Sequence, residues 1–208
     1  MIWETLVTAN IEATEFEKGI QARIELYSHL SVNQAFKNQF DFALAILLKA
    51  IEEDKKILIF GNGGSAADSI HFAAELVCQF QKERRAIAAI SLNTDPAILT
   101  AQSNDFGFST VFSRQIEALC QPGDVVIGFT TSDADYVDKG EHSRNLLLAF
   151  KVARQKGAVN IGFFSAKTEF LLDYVDVAIV VPNTQTALIQ EVHQMVIHEL
   201  SKHIEQAL

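Results

Sequence analysis

The sequence predicts one α/β domain, a doubly wound five-stranded parallel sheet with a helical segment at its N-terminal end. Two observations carry that reading. From Lys55 onward, five short apolar runs alternate with stretches of helical periodicity, and strands covered on both faces read as continuous apolar runs. The chain of 208 residues, 49% hydrophobic and 21% charged, suits one well-buried core and is short for two.

Taken in order, residues 3 to 53 read as helix, with Leu44, Leu47, Leu48 and Ile51 on one stripe and Lys49 off it. A break near Ser31-Val32-Asn33 divides this segment into two helices. Its many apolar residues suit either a surface between copies of the chain or packing on the chain's own core. Residues 1–53 therefore form the helical part and 54–208 the α/β core of a single domain, 1–208. The strands are expected at 56–60, 86–92, 124–130, 159–164 and 176–181, with a helix at 66–80 after the first and a closing helix from about 185 to 207. Ligands of such sheets bind beyond the carboxyl ends of the strands, which directs attention to the residues after Phe60, Leu92, Thr130 and Val181.

Several functions are excluded. A formal charge of −9 argues against a nucleic-acid partner, which needs clustered Lys and Arg. No stretch approaches the roughly 18 apolar residues of a membrane span, and the N-terminus carries acids where a signal peptide carries bases. Cys78 and Cys120 form no metal-binding pattern and imply no disulfide. A soluble, cytoplasmic protein is expected.

Three groups of residues carry chemistry. Gly61-Asn62-Gly63-Gly64-Ser65 joins the first strand to a helix; its glycines let backbone N–H groups approach an anion at the helix N-terminus. The same loop is also explained if Ser65 caps the helix, with Asp68 three residues on. Thr130-Thr131-Ser132 puts three hydroxyls where the sheet opens, suited to phosphate oxygens or to a simple turn. His71 and Glu75 lie four apart on one helix face, and the last helix holds Gln190, Glu191, His193 and His198. Gln190 and His198 are two turns apart and about 80° offset. Two His, one Glu and one Gln make a nitrogen and oxygen set suited to Zn²⁺. His71–Glu75 is equally a surface pair supporting its helix, and His193 and His198 fit an ordinary amphipathic boundary.

Together the segments 60–76 (FGNGGSAADSIHFAAEL), 89–119, 123–132 (GDVVIGFTTS) and 189–200 (IQEVHQMVIHEL) resemble the sugar isomerase (SIS) domain family, and within it the bacterial sedoheptulose-7-phosphate isomerases. The resemblance implies a flavodoxin-like SIS fold and an aldose–ketose isomerase acting through an enediol or enediolate in heptose biosynthesis. It implies that Asn62, Gly63, Ser65, Asp105 and Gln190 contact substrate, and that Thr130, Thr131, Ser132 and Ser143 hold its phosphate. It implies one Zn²⁺ per subunit on His71, Glu75, Gln190 and His198, with Glu75 and His198 as the acid–base pair. A homotetramer with active sites between subunits is implied as well.

This chain departs from the family pattern in places. An insertion of about eight residues, bringing four acids, replaces the Gly-Asn between Ser132 and Ser143. Ala187 replaces an Asp, Gln79 an Arg, and the segment after Phe164 lacks an Asp-Gly-Gly turn. These departures suggest a different sugar phosphate, a lid-like loop or a paralogue with reduced activity, and the altered loop and Ala187 also suit a sugar-phosphate sensor that binds without turnover. The other alternative is a scaffold resembling the replication-initiator-associating relatives; those typically lose the Glu and final His that stand here as Glu75 and His198.

Overall fold

The computed structural model describes residues 13–133 and 143–208. The helix expected over residues 3–12, and inserted residues 134–142, lie outside the described residues. Two compact units divide between Ala35 and Phe36. The first contains α1 (Ala13–Val32), which ends where the sequence places a break, the Asn33 N–H turning back to the Leu30 carbonyl at 3.2 Å.

The second unit starts within α2 (Gln34–Glu52), whose Phe36, Ala43, Leu47, Ala50 and Ile51 are buried at helical spacing. There follow β1 (Ile57–Gly61), α3 (Gly64–Val77), β2 (Ala89–Ser91), α4 (Pro96–Phe106), α5 (Val111–Leu119), β3 (Val125–Phe129), α6 (Arg144–Gln155), β4 (Val159–Ser165), β5 (Val177–Val181) and α7 (Thr186–Ala207). Short 3₁₀ turns at Phe108–Thr110 and Phe170–Tyr174 complete it. All five strands are parallel, in the order β2-β1-β3-β4-β5. That order reverses between β1 and β3, and such a switch point opens a crevice for ligands. β1 and β3 are buried along their whole length, as their unbroken apolar runs require.

Two expected boundaries are corrected. The second strand spans 89–91 rather than 86–92. It lies at the sheet edge with Ile90 exposed, and Ile87 instead gives its N–H to the Leu76 carbonyl at the end of α3. The helix expected at 66–80 spans 64–77. Arg84 stops it, donating from Nη1 to the Leu76 carbonyl at 2.8 Å and from Nη2 to the Glu75 carbonyl at 2.6 Å, which satisfies acceptors that a helix end leaves open. Cys78 is exposed and Cys120 buried, and both are free thiols. Among the described residues, no helix is long and apolar enough to cross a membrane.

Candidate active site

The loop after β1 is shaped by two glycines for different reasons. Gly63 has φ +57°, the left-handed region that glycine adopts without strain. Gly64 is a close approach: a Cβ there would collide with Gln190 Nε2, so only glycine admits the α7 amide against this backbone. Ser65 is not the helix cap considered from sequence. The cap is Gly63, without a side-chain bond, and Ser65 is buried in the first turn with its N–H on the Asn62 carbonyl at 3.0 Å.

This loop is tied across the switch point. Asn62 Nδ2 donates to Asn145 Oδ1 at 3.0 Å, and Asn145 Nδ2 donates back to Asn62 Oδ1 at 2.8 Å. Asn145 opens α6 and is buried, so breaking the pair would leave a buried amide unsatisfied, costing about 1–3 kcal/mol. Beside it the hydroxyls expected to hold phosphate form a chain. Thr130 Oγ1 lies 3.3 Å from Ser132 Oγ, which lies 3.4 Å from Ser143 Oγ. Ser143 has φ +57° and sits at the N-terminus of α6, an end that favours anions. Thr131 turns instead to Thr186 on α7, 3.4 Å away.

The first acid of the insertion does not face this hydroxyl chain. Asp133 accepts the N–H groups of Glu169, Phe170 and Leu171 at 2.8, 2.7 and 3.2 Å, capping the 3₁₀ turn in the segment that lacks the Asp-Gly-Gly pattern. The two departures are thus in contact with each other.

A second cluster forms where α3 lies against α7. Ligand atoms of His71, Glu75 and His198 all lie within 4.8 Å of one another, each residue half-buried. His71 Nε2 is 2.9 Å from Glu75 Oε1. The His198 ring is stacked on Phe80 (centroids 5.3 Å apart) and meets the His71 ring edge-on at 5.1 Å. Two imidazoles and a carboxylate at this spacing fit a borderline divalent cation such as Zn²⁺. Gln190 is on the same helix, one turn before Gln194 and two before His198, and its amide sits at Gly64.

The frame around this cluster is buried and charged. Glu205 accepts the N–H groups of Phe80, Gln81 and Lys82 at 2.6, 2.8 and 3.0 Å, with Arg84 Nε at 3.4 Å. Burial alone would raise the Glu205 carboxyl, but those three N–H groups and Arg84 hold it below its ordinary value. Since Arg84 also grips the carbonyls of Glu75 and Leu76, the pair fastens the end of α3 to α7. His193, one turn before Ile197, is wholly buried between Phe129 and Phe163, with Nε2 3.3 Å from the Phe164 carbonyl. Burial lowers it to about 4, so it is a neutral core residue.

Most of the predicted site residues thus gather in two places, while Thr131 turns to Thr186, the Gln190 amide sits at Gly64 and Asp105 remains apart. His71, Glu75 and His198 meet, and Thr130, Ser132 and Ser143 meet near Asn62. Asp105 lies exposed at the end of α4, accepting from Asn104 Nδ2 at 2.9 Å. Ala187 and Gln79 are both exposed. Sequence reasoning missed Asn145, Gln194, Phe80 and Glu205. Only Asn145 had a usable signal, an Asn two residues after the hydroxyl at Ser143.

Comparison with known proteins identifies the family of the chain. The chain belongs to the SIS domain family, whose model matches residues 23–163. Among its relatives is a phosphoheptose isomerase of Nitratiruptor sp., 47% identical over 165 residues, covering 79% of this chain and 84% of that protein. Another, from Geobacter metallireducens, is 41% identical and covers 88% of this chain and 95% of that protein. The solved phosphoheptose isomerase of Neisseria gonorrhoeae superposes with a TM-score of 0.77 at 32% identity, covering 99% of this chain and all (100%) of that one.

Proposed function

We propose that this chain is a metal-dependent phosphoheptose isomerase, converting sedoheptulose 7-phosphate to D-glycero-D-manno-heptose 7-phosphate in heptose biosynthesis. The observation that carries the reading is the meeting of His71, Glu75 and His198 where α3 lies against α7, the helices that also bring Gly64 and Gln190 together. The relatives named phosphoheptose isomerase, at 41–47% identity, support the substrate.

The chemistry assigns a role to each group. Ketose and aldose differ by a proton on C1 or C2 and by which oxygen is a carbonyl. Glu75 takes the proton from C1, leaving an enediol or enediolate, and returns it to C2. His198 moves the proton between the two oxygens. His71, Glu75, Gln190 and His198 would hold Zn²⁺, which supplies Lewis-acid stabilisation of negative charge developing on the sugar oxygens. The hydroxyls of Thr130, Thr131, Ser132 and Ser143 hold the phosphate at the N-terminus of α6, with Asn62, Gly63, Ser65 and Asp105 contacting the substrate. Phosphate binding far from C1 and C2 turns remote affinity into alignment.

The protein is a cytoplasmic homotetramer in this reading. Phe16, Ile20, Ile24 and Tyr27 lie at intervals of three and four on α1 and are all exposed, an apolar stripe of the kind that associating surfaces carry. Glu75→Gln tests the mechanism. Turnover of sedoheptulose 7-phosphate should fall by about 10² or more with the fold intact, and a wild-type rate would remove Glu75 from its role.

A further inference from the structure

We infer that Gln194 and Asp68 are positioning residues that fix the ring and tautomer of His71, so that its Nε2 presents a lone pair toward Glu75. The inference rests on the metal-dependent reading above.

The chain of contacts starts at a buried carboxylate. Asp68 lies on α3 one turn before His71 and is only 3% exposed. As a carboxylate it can only accept. Gln194 on α7 lies against it and donates to Asp68 Oδ1 from Nε2. That contact settles which way the amide points, because its oxygen must then face the other way. Gln194 Oε1 stands 2.7 Å from His71 Nδ1. An amide oxygen accepts only, so His71 Nδ1 must carry the hydrogen. The neutral ring then has its lone pair on Nε2, and this atom is 2.9 Å from Glu75 Oε1. Two acceptors at that distance repel unless a cation or a proton joins them.

A metal-binding imidazole ordinarily gives its other N–H to an outer acceptor, which orients the ring and raises its basicity. Here the acceptor is supplied by α7, the helix that also carries Gln190 and His198. The contact between α3 and α7 therefore sets the ring as well as the spacing of the donors. Gln194 sits midway between Gln190 and His198, one turn from each, so one helix face carries both proposed ligands and the group that aims the third.

The test uses full-length protein and zinc alone, with no substrate. Zinc affinity is measured by competition with a chromogenic chelator for wild type, Gln194→Leu, Gln194→Glu and the double variant Asp68→Asn/Gln194→Glu. Gln194→Leu removes the acceptor and should weaken zinc binding 10- to 100-fold without loss of the thermal unfolding transition. Gln194→Glu puts two carboxylates together and should also bind poorly. In the double variant the amide introduced by Asp68→Asn donates to the new carboxylate, which again accepts from His71; affinity should return to within about threefold of wild type. Imidazole ¹⁵N spectra of the zinc-loaded protein supply a second readout, showing a proton on His71 Nδ1 in wild type and in the double variant. Unchanged zinc affinity in folded Gln194→Leu, or a proton on Nε2 in wild type, overturns the inference while leaving the isomerase reading intact. Failure of the wild type itself to bind zinc overturns both the inference and metal dependence.

Discussion

Acidification should destabilise this protein through a residue with no part in the chemistry. His193 is completely buried, its Nδ1 has no partner and its ring is enclosed by Phe129 and Phe163. Desolvation lowers it to about 4 from an ordinary 6.5, the weak bond to the Phe164 carbonyl offsetting little. Between those values the unfolded chain binds a proton that the folded chain refuses. Stability therefore falls as pH drops through that window. Each unit is worth about 1.4 kcal/mol, so the full loss approaches about 3 kcal/mol and roughly 2 kcal/mol is gone by pH 5. Replacing His193 by Leu keeps the volume and removes the titration. Urea midpoints of the metal-free protein at pH 7 and pH 5 provide the assay. Wild type should lose about 2 kcal/mol more than His193→Leu over that interval, and the comparison cancels groups common to both, Asp68 and Glu205 included. Equal losses in the two proteins would refute the reasoning.

Other predictions follow from the frame of the site. Glu205→Ala strands three backbone N–H groups and Arg84 in a buried place; urea denaturation should show a loss of about 3–5 kcal/mol, and a loss under about 1 kcal/mol would contradict it. In the wild type the same carboxyl, held low, contributes stability that is present above its unfolded value and disappears as pH falls through its lower folded value. Gly64→Ala should leave the melting temperature nearly unchanged, because the group it strikes is the flexible end of Gln190. Turnover should nevertheless fall by about tenfold or more, and unaltered kinetics would show that the Gln190 amide has no role there.

The sheet was legible because its central strands are buried on both faces, and their unbroken apolar runs say so directly. The edge was read too long, since Ile87 is buried like a strand residue yet bonds to a helix end. His71 and Glu75 could be paired from spacing, because one helix places them together. His193 and His198 looked alike in sequence, and packing alone separates them: one ring is sealed between two Phe side chains and the other faces His71. Gln194 and Glu205 gave no sequence signal, as their partners lie more than a hundred residues away across a helix contact. The insertion looked like negative charge brought to a phosphate loop. Its first acid is instead consumed by a turn, which sequence could not show.

The most direct test of the central proposal is turnover of sedoheptulose 7-phosphate by zinc-loaded protein, with metal content determined on the same sample before and after chelation. Turnover is expected to disappear with the metal and to return when zinc is restored. Turnover that survives complete removal of metal would contradict the proposal, as would stoichiometric zinc in a protein that leaves the sugar phosphate unchanged.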